Sequence, residues 1–214
     1  MEITKLGHCC LIIKVNGLRI LTDPGMWTIQ EHASVKDIDI ILITHDHPDH
    51  IHLESINTIL ANNPNAKIYT NSGVGKSLSE QGIAFEKLEG TSKTKVKDIE
   101  LEAFDCDHEM IYPIVPLPQN TGYWITDKLF YPGDSLTKPG KSVELLALPV
   151  AGPWMTIQQG LDYAKEVKPK QCFPVHDGFV LEESLQLYHG LPQKVLVEAE
   201  IEFIPLKAGE SLDF

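Results

Sequence analysis

Residues 40–50 read Ile40-Ile41-Leu42-Ile43-Thr44-His45-Asp46-His47-Pro48-Asp49-His50. An apolar run, mostly β-branched, stops at three histidines and two aspartates, the pattern of a buried strand that delivers a polar loop. Imidazole and carboxylate are the groups that hold divalent first-row metals near neutral pH, and His45, His47, Asp49 and His50 crowd four of them together. One small ion cannot easily use all four. Donors that alternate along a loop point to different sides, so the spacing predicts two neighbouring metals, about 3.5–4 Å apart. Pro48 stiffens the loop, and the Thr44 hydroxyl is placed to bond the backbone there.

Composition bounds that reading. A chain of 214 residues suits one domain, 1–214, with one well-buried core. The formal net charge is -12 and Arg19 is the only arginine, which disfavours a nucleic-acid partner because phosphate backbones are held by cations. No apolar run approaches a membrane span, so no membrane partner is expected. Met1 to Lys5 lacks the basic start and apolar core of a signal peptide. Cys9, Cys10, Cys106 and Cys172 show no paired metal-knuckle spacing; adjacent Cys9 and Cys10 read as small buried hydrophobes, and a reduced, cytoplasmic compartment follows.

From Glu2 to Leu21 short β-rich runs alternate with Gly7 and Asn16-Gly17, the second a strong hairpin signal, and predict an antiparallel sheet. His8 within it has two readings, a core histidine bonded to backbone or a polar group facing the site. Thr22-Asp23-Pro24-Gly25 is turn chemistry, and the loop from Met26-Trp27 to Ser34 is a candidate wall. A helix is predicted from His52 to Asn62, a strand over Lys67–Thr70, a helix over Ser72–Gln81 capped by Ser72, and a short strand at Ala84–Phe85. Lys93 to Lys97 predicts an exposed hairpin arm.

The strand predicted from Glu100 to Asp105 ends in Cys106-Asp107-His108-Glu109, repeating the logic of the first loop. Ile111 to Asn120 then carries Pro113, Pro116 and Pro118, which predicts a stiff surface loop. It is read either as a substrate-facing flap lined by Tyr112 or as a plain connector. Gly122–Thr126 and Lys128–Tyr131 predict a hairpin across Thr126-Asp127 that runs into Gly133-Asp134-Ser135, and Lys138 and Lys141 beyond it are candidates to meet an anionic substrate. Leu145–Val150 predicts a buried strand, Thr156–Val167 a helix capped by Thr156, and Gln171–Val175 a strand ending on His176. Three strands thus each deliver histidine at the carboxyl end. In the tail an amphipathic stretch is broken by Gly190 and Pro192, and His189 is expected on the surface.

The run His45 to His50 resembles the H-x-H-x-D-H signature of the metallo-β-lactamase superfamily. That resemblance implies an α/β (α+β) fold, the four-layer αββα sandwich, with a two-metal site at one edge. It assigns His45, His47 and His108 to one ion and Asp49, His50 and His176 to the other. Asp134, in a run similar to the family's G-D-[ST] motif, bridges them, and Asp107 is the neighbour expected to touch His108. Thr22 to Gly25 is similar to the family's first motif, which makes Asp23 a brace for the ligand loop rather than a ligand. Gly7-His8 resembles the start of the uncharacterised metal-dependent hydrolase branch and its ascorbate-phosphate lactonase relatives, with His8 facing the site. Trp154-Met155-Thr156 departs from that branch, so its substrate preference is not carried over.

The activity implied is hydrolysis of a small ester, lactone or phosphorylated substrate by a hydroxide shared between two divalent ions. Zinc or manganese fits the donors, and iron is admissible. Asp49 is the catalytic residue, orienting or deprotonating the water, and the chain has no G-x-S-x-G elbow to supply a serine instead. A phosphodiesterase of the same fold and a non-catalytic metal-binding partner protein are the alternatives. The sequence leaves open whether copies associate into a homo-oligomer.

Overall fold

The computed structural model describes residues 1–214. Strands β1 (Glu2–Gly7), β2 (Cys10–Val15) and β3 (Leu18–Thr22) form the expected antiparallel meander. Its second turn is Asn16-Gly17, with φ of 47° and 76°, the left-handed pair that matches the twist of a two-residue hairpin. After the short helix α1 (Ile29–His32), β4 (Ile40–Ile43) pairs parallel to β3. Helix α2 (Leu53–Asn62) crosses to β5 (Lys67–Thr70), which is parallel to β4, and α3 (Ser72–Glu80) leads to β6 (Glu86–Lys87).

The second sheet begins with β7 (Lys93–Val96), β8 (Ile99–Asp105), β9 (Thr121–Ile125) and β10 (Leu129–Tyr131), all antiparallel neighbours. Strand β11 (Leu145–Pro149), helix α4 (Ile157–Val167) and β12 (Gln171–Val175) extend it in parallel, and α5 (Glu182–Leu196) precedes the edge strand β13 (Glu202–Phe203). The last strand, β14 (Ser211–Asp213), returns to pair with β1. The sheet orders are β14-β1-β2-β3-β4-β5-β6 and β13-β12-β11-β10-β9-β8-β7.

Strand β4 shows why the sequence stacks into four layers. Side chains alternate across a strand, so Ile40 and Leu42 enter the cluster between the sheets while Ile41 and Ile43 enter the cluster shared with α2 and α3. Both faces are covered, which is why this strand is apolar throughout. On the far side, Leu146 and Leu148 of β11 join Leu161 and Ala164 of α4 and Leu196 of α5 in a third cluster. Truncating Leu42 to alanine would open the inter-sheet core at a cost of about 2–5 kcal/mol.

Three elements differ from expectation. The cap of α3 is Asn71, whose side chain accepts the Val74 amide, and not Ser72. The short strand lies at Glu86–Lys87 and not Ala84–Phe85, because the Phe85 ring is used against Gly75 of α3 before pairing begins. Helix α5 runs through Gly190 and Pro192 without a break. Pro192 forfeits one helical hydrogen bond, but His189, Pro192 and Leu196 are all buried, and tertiary packing outweighs the local preference. No helix is long and apolar enough to cross a membrane.

Candidate metal centre

The carboxyl ends of β4, β8, β10 and β12 lead into loops that meet at one edge of the sandwich, the crevice where open parallel sheets hold ligands. Turn 23–25 supports the first loop from below. A Cβ on Gly25 would fall 1.8 Å from the Asp49 carbonyl oxygen, so only glycine lets the Met26 amide reach the Pro48 carbonyl at 2.7 Å. There the donor atoms of His45, His47, His108 and Asp134 lie within 4.8 Å of one another, as do those of His8, Asp49, His50 and His176.

Asp134 touches both groups. Its Oδ2 is 2.9 Å from His176 Nε2, 3.6 Å from His108 Nε2 and 3.8 Å from His45 Nε2, and its Oδ1 is 3.2 Å from His50 Nε2. Asp49 Oδ2 stands 3.8 Å from His50 Nε2 and 3.6 Å from His176 Nε2. The buried Nε2 atoms of His50, His108 and His176 have no hydrogen-bond partner. Buried polar atoms left unpaired are costly, and nitrogens orphaned around shared carboxylates are the donor chemistry of a cation site.

Hydrogen bonds behind the cage set which nitrogen faces inward. Asp23, held at a φ of 37°, accepts the Thr44 amide and hydroxyl at 2.8 Å each, the Tyr131 hydroxyl at 2.6 Å and His50 Nδ1–H at 2.8 Å. The Thr44 hydroxyl, expected on backbone, is thus spent on this carboxylate, and its oxygen accepts from His45 Nδ1 at 3.0 Å. His108 Nδ1 donates to the Glu109 carbonyl at 2.7 Å. Each bond fixes the Nδ1 side of its histidine and turns Nε2 into the cage, as partners behind metal-binding histidines do.

A family model described as a beta-lactamase superfamily domain matches residues 2–176. The chain belongs to the metallo-β-lactamase superfamily. It is 32% identical over 195 residues to Protein Rv0786c of Mycobacterium tuberculosis, covering 89% of this chain and 90% of that protein. It is 24% identical to the UPF0173 metal-dependent hydrolase MJ1163 of Methanocaldococcus jannaschii, over 81% of this chain and 83% of that one. Among solved structures it is similar to Igni18, a metallo hydrolase from Ignicoccus hospitalis, with a TM-score of 0.75, 18% identity and coverage of 100% and 98%.

Electrostatics in this superfamily member follow from burial against charge. Burial works against a charged His50, but the Asp134 and Asp23 carboxylates outweigh it and push its pKa well above the ordinary value. His45 goes the other way, lowered by burial and by His50 beside it. Burial alone would raise Asp49 and Asp134. The His8 hydrogen bond, with His50 and His176, keeps Asp49 well below the usual carboxylate range, and His176, His50 and His45 do the same for Asp134. Cys9 lies close beneath His50 and Asp134, but burial and the Asp134 charge push its thiol far up, so it stays protonated.

Several expected contacts are not formed. Asp107 is exposed, and the His108 Nδ1 hydrogen bond goes to the Glu109 carbonyl instead. Lys138 pairs with Glu166, and Lys141 with Glu102 and Asp127 over the Trp124 ring, so neither is a free cation for a substrate. Tyr112, read as a lining residue of a substrate-facing flap, stands exposed in the proline-rich loop, and Leu117 and Pro118 of that loop share a cavity of about 450 Å³ with His108. His189 is buried and not on the surface, because its Nε2 donates to Asp177 at 2.8 Å and Asp177 is itself 2.7 Å from buried Lys5. Trp154, outside the predicted set, donates its indole N–H to Asp134 Oδ2 at 2.9 Å. The available signal was its position just past the buried run Leu145–Val150, where the other site residues also sit.

Proposed function

We propose that this metal-dependent hydrolase of the metallo-β-lactamase superfamily binds two divalent ions and opens a small ester or lactone whose remote part is uncharged and apolar. The observation that carries the reading is the Asp134 carboxylate, within reach of histidines from both donor groups. His45, His47 and His108 hold one ion with it, and Asp49, His50 and His176 the other. When bound, such a pair lowers the pKa of a water and draws charge from the substrate oxygen. Zinc and manganese both suit the mixed nitrogen and oxygen donors.

The chain's own groups do the positioning. Asp49 stays charged, has one oxygen occupied by His8 and is partly open to solvent, so its second oxygen is the acceptor that orients the attacking water. His8, neutral because burial pushes it down to about 4, holds that carboxylate in place. Asp23 holds the ligand loop through His50 and Thr44.

Substrate preference is read from the rim. No lysine or arginine occurs in 23–32, 44–52, 105–119, 132–137, 150–156 or 174–187, the loops around the cage. Lys207, which shares a cavity with His8 and Trp27, stands 3.7 Å from the Glu182 carboxylate, so a phosphoryl group remote from the reacting bond would meet a cation that already has a partner. Apolar side chains stand on those loops. Trp27 and Phe179 lie half-exposed with ring centroids 5.6 Å apart beside His8 and His176, and Tyr112, Ile114 and Leu117 are exposed in the proline-rich loop. The free, buried state of all four cysteines supports a reducing, cytoplasmic compartment.

The test is turnover of the metal-loaded protein on panels of acyl lactones, aryl esters and bis-nitrophenyl phosphate. Hydrolysis of lactones or esters supports the reading. Turnover of the phosphodiester alone, or of nothing despite bound metal, overturns it.

A further inference from the structure

The segment from Val150 to Thr156 is held at both ends. The Val150 amide donates to the Val175 carbonyl at 3.1 Å, Met155 closes a turn onto Gly152 at 3.3 Å, and Thr156 begins α4 with a reciprocal capping box to Gln159. That rigid mount carries Trp154, which is buried, with its ring edge-on to His176 at 5.2 Å and to His108 at 6.2 Å. Gly152 makes room for it, since a Cβ there would lie 2.8 Å from the indole Cε2.

The contacts of the Asp134 carboxylate divide by kind. His45, His50, His108 and His176 surround it, and each would give its inward nitrogen to an ion. The remaining contact is the Trp154 indole, 2.9 Å from Oδ2. An indole N–H is a donor with no lone pair to offer and no proton to lose near neutral pH. It neither competes for the carboxylate's cations nor leaves when they displace protons from the histidines. The Asp134 backbone is fixed separately, its amide donating to Asn120 Oδ1 at 3.2 Å, so the indole acts on the carboxylate's rotation and not on the chain.

We propose that Trp154 is a positioning residue that fixes the rotation of the Asp134 carboxylate through its indole N–H and thereby sets the affinity for the pair of ions. This rests on the reading that Asp134 links two ions. Partners behind metal ligands are commonly worth about 10–100-fold in affinity, and that is the loss expected here.

The experiment titrates the folded, metal-stripped chain with Zn²⁺ and with Mn²⁺ against a chromophoric chelator. Trp154→Phe keeps an aromatic ring and removes the N–H, and benzothienylalanine at 154 keeps the bicyclic shape with sulfur in place of N–H. Both are expected to weaken binding of the pair of ions by about 10–100-fold. Gly152→Ala, which displaces the ring, is expected to weaken it in the same direction. Trp124→Phe, in the outer core and away from the cage, is expected to lower thermal stability and leave both affinities unchanged. If the benzothienylalanine protein binds both ions as tightly as the wild type, the indole proposal is overturned while the two-ion reading stands. If the wild type itself takes up no pair of ions, both are overturned.

Discussion

His8 Nε2 lies 3.2 Å from Asp49 Oδ2, while His8 Nδ1 accepts the Gly178 amide at 3.1 Å. Because Nδ1 is the acceptor, the proton of the neutral ring sits on Nε2. His8 therefore gives Asp49 a donor and has no lone pair to give an ion, although its ring stands among the second group of candidate donors. The two readings of His8 left open by the sequence resolve into both at once, a buried ring bonded to backbone and a polar group at the site.

Glutamine at position 8 reproduces the Nε2 donor, and asparagine reproduces only the Nδ1-side acceptor. His8→Gln is expected to keep most of the ion affinity, and His8→Asn and His8→Ala to lose about 10–100-fold. Backbone strain works against this order, since φ at residue 8 is 47° and asparagine tolerates that region best. Chelator competition on the three variants reads it directly. An asparagine variant that binds as well as the glutamine variant would rule the account out.

Asp177 ties the end of β12 to the N-terminal strand. Burial would raise its pKa, but the His189 hydrogen bond and the Lys5 ammonium outweigh that and hold the folded value below the ordinary one. A depressed folded pKa means the stabilisation is present above the unfolded carboxylate value, about pH 4, and is lost as pH falls through the folded value. Asp177→Asn leaves Lys5 buried without its partner, and a cost of about 3–5 kcal/mol is expected in denaturant unfolding. The same variant should show a flatter loss of stability below pH 4, and equal acid slopes for both proteins would contradict the assignment.

Ion uptake is expected to release protons. Asp134 and Asp23 overcome burial to hold the His50 pKa well above its ordinary value, so the metal-free cage keeps a proton there that an ion must displace. Apparent affinity should then rise with pH through the neutral range and fall in acid. Calorimetry in two buffers of different ionisation enthalpy measures the release, and a binding heat independent of buffer would refute it.

The proline-rich loop gives a substrate test that leaves the ions alone. Replacing exposed Ile114 with serine removes apolar contact worth about 1.5 kcal/mol if the substrate's tail covers it, so KM for an apolar ester should rise about tenfold. Metal content and kcat should stay as they were. An unchanged KM assigns the loop to the connector reading.

Much of the site was legible because its chemistry is local. The run from Ile40 to His50 carries both a strand buried on two faces and its donors, and His108 and His176 follow strands in the same way. Turns set by left-handed backbone, Asn16-Gly17 and Thr126-Asp127, were legible for the same reason. What escaped depends on distant partners. His189 is indistinguishable from a surface histidine until Asp177 and Lys5, far apart in the chain, are brought beneath it. Pro192 ends a helix by local rules and is overruled by the core it completes. Glu109 serves His108 through a carbonyl that every residue has, and Trp154 matters through one N–H whose acceptor lies twenty residues earlier.

The most direct measurement is the number of tightly bound divalent ions per chain, by plasma mass spectrometry after dialysis, in the wild type and in His45→Ala. The account predicts two ions in the wild type, and neither ions nor turnover in the variant. A single ion in the wild type, or unchanged metal content in His45→Ala, would contradict it.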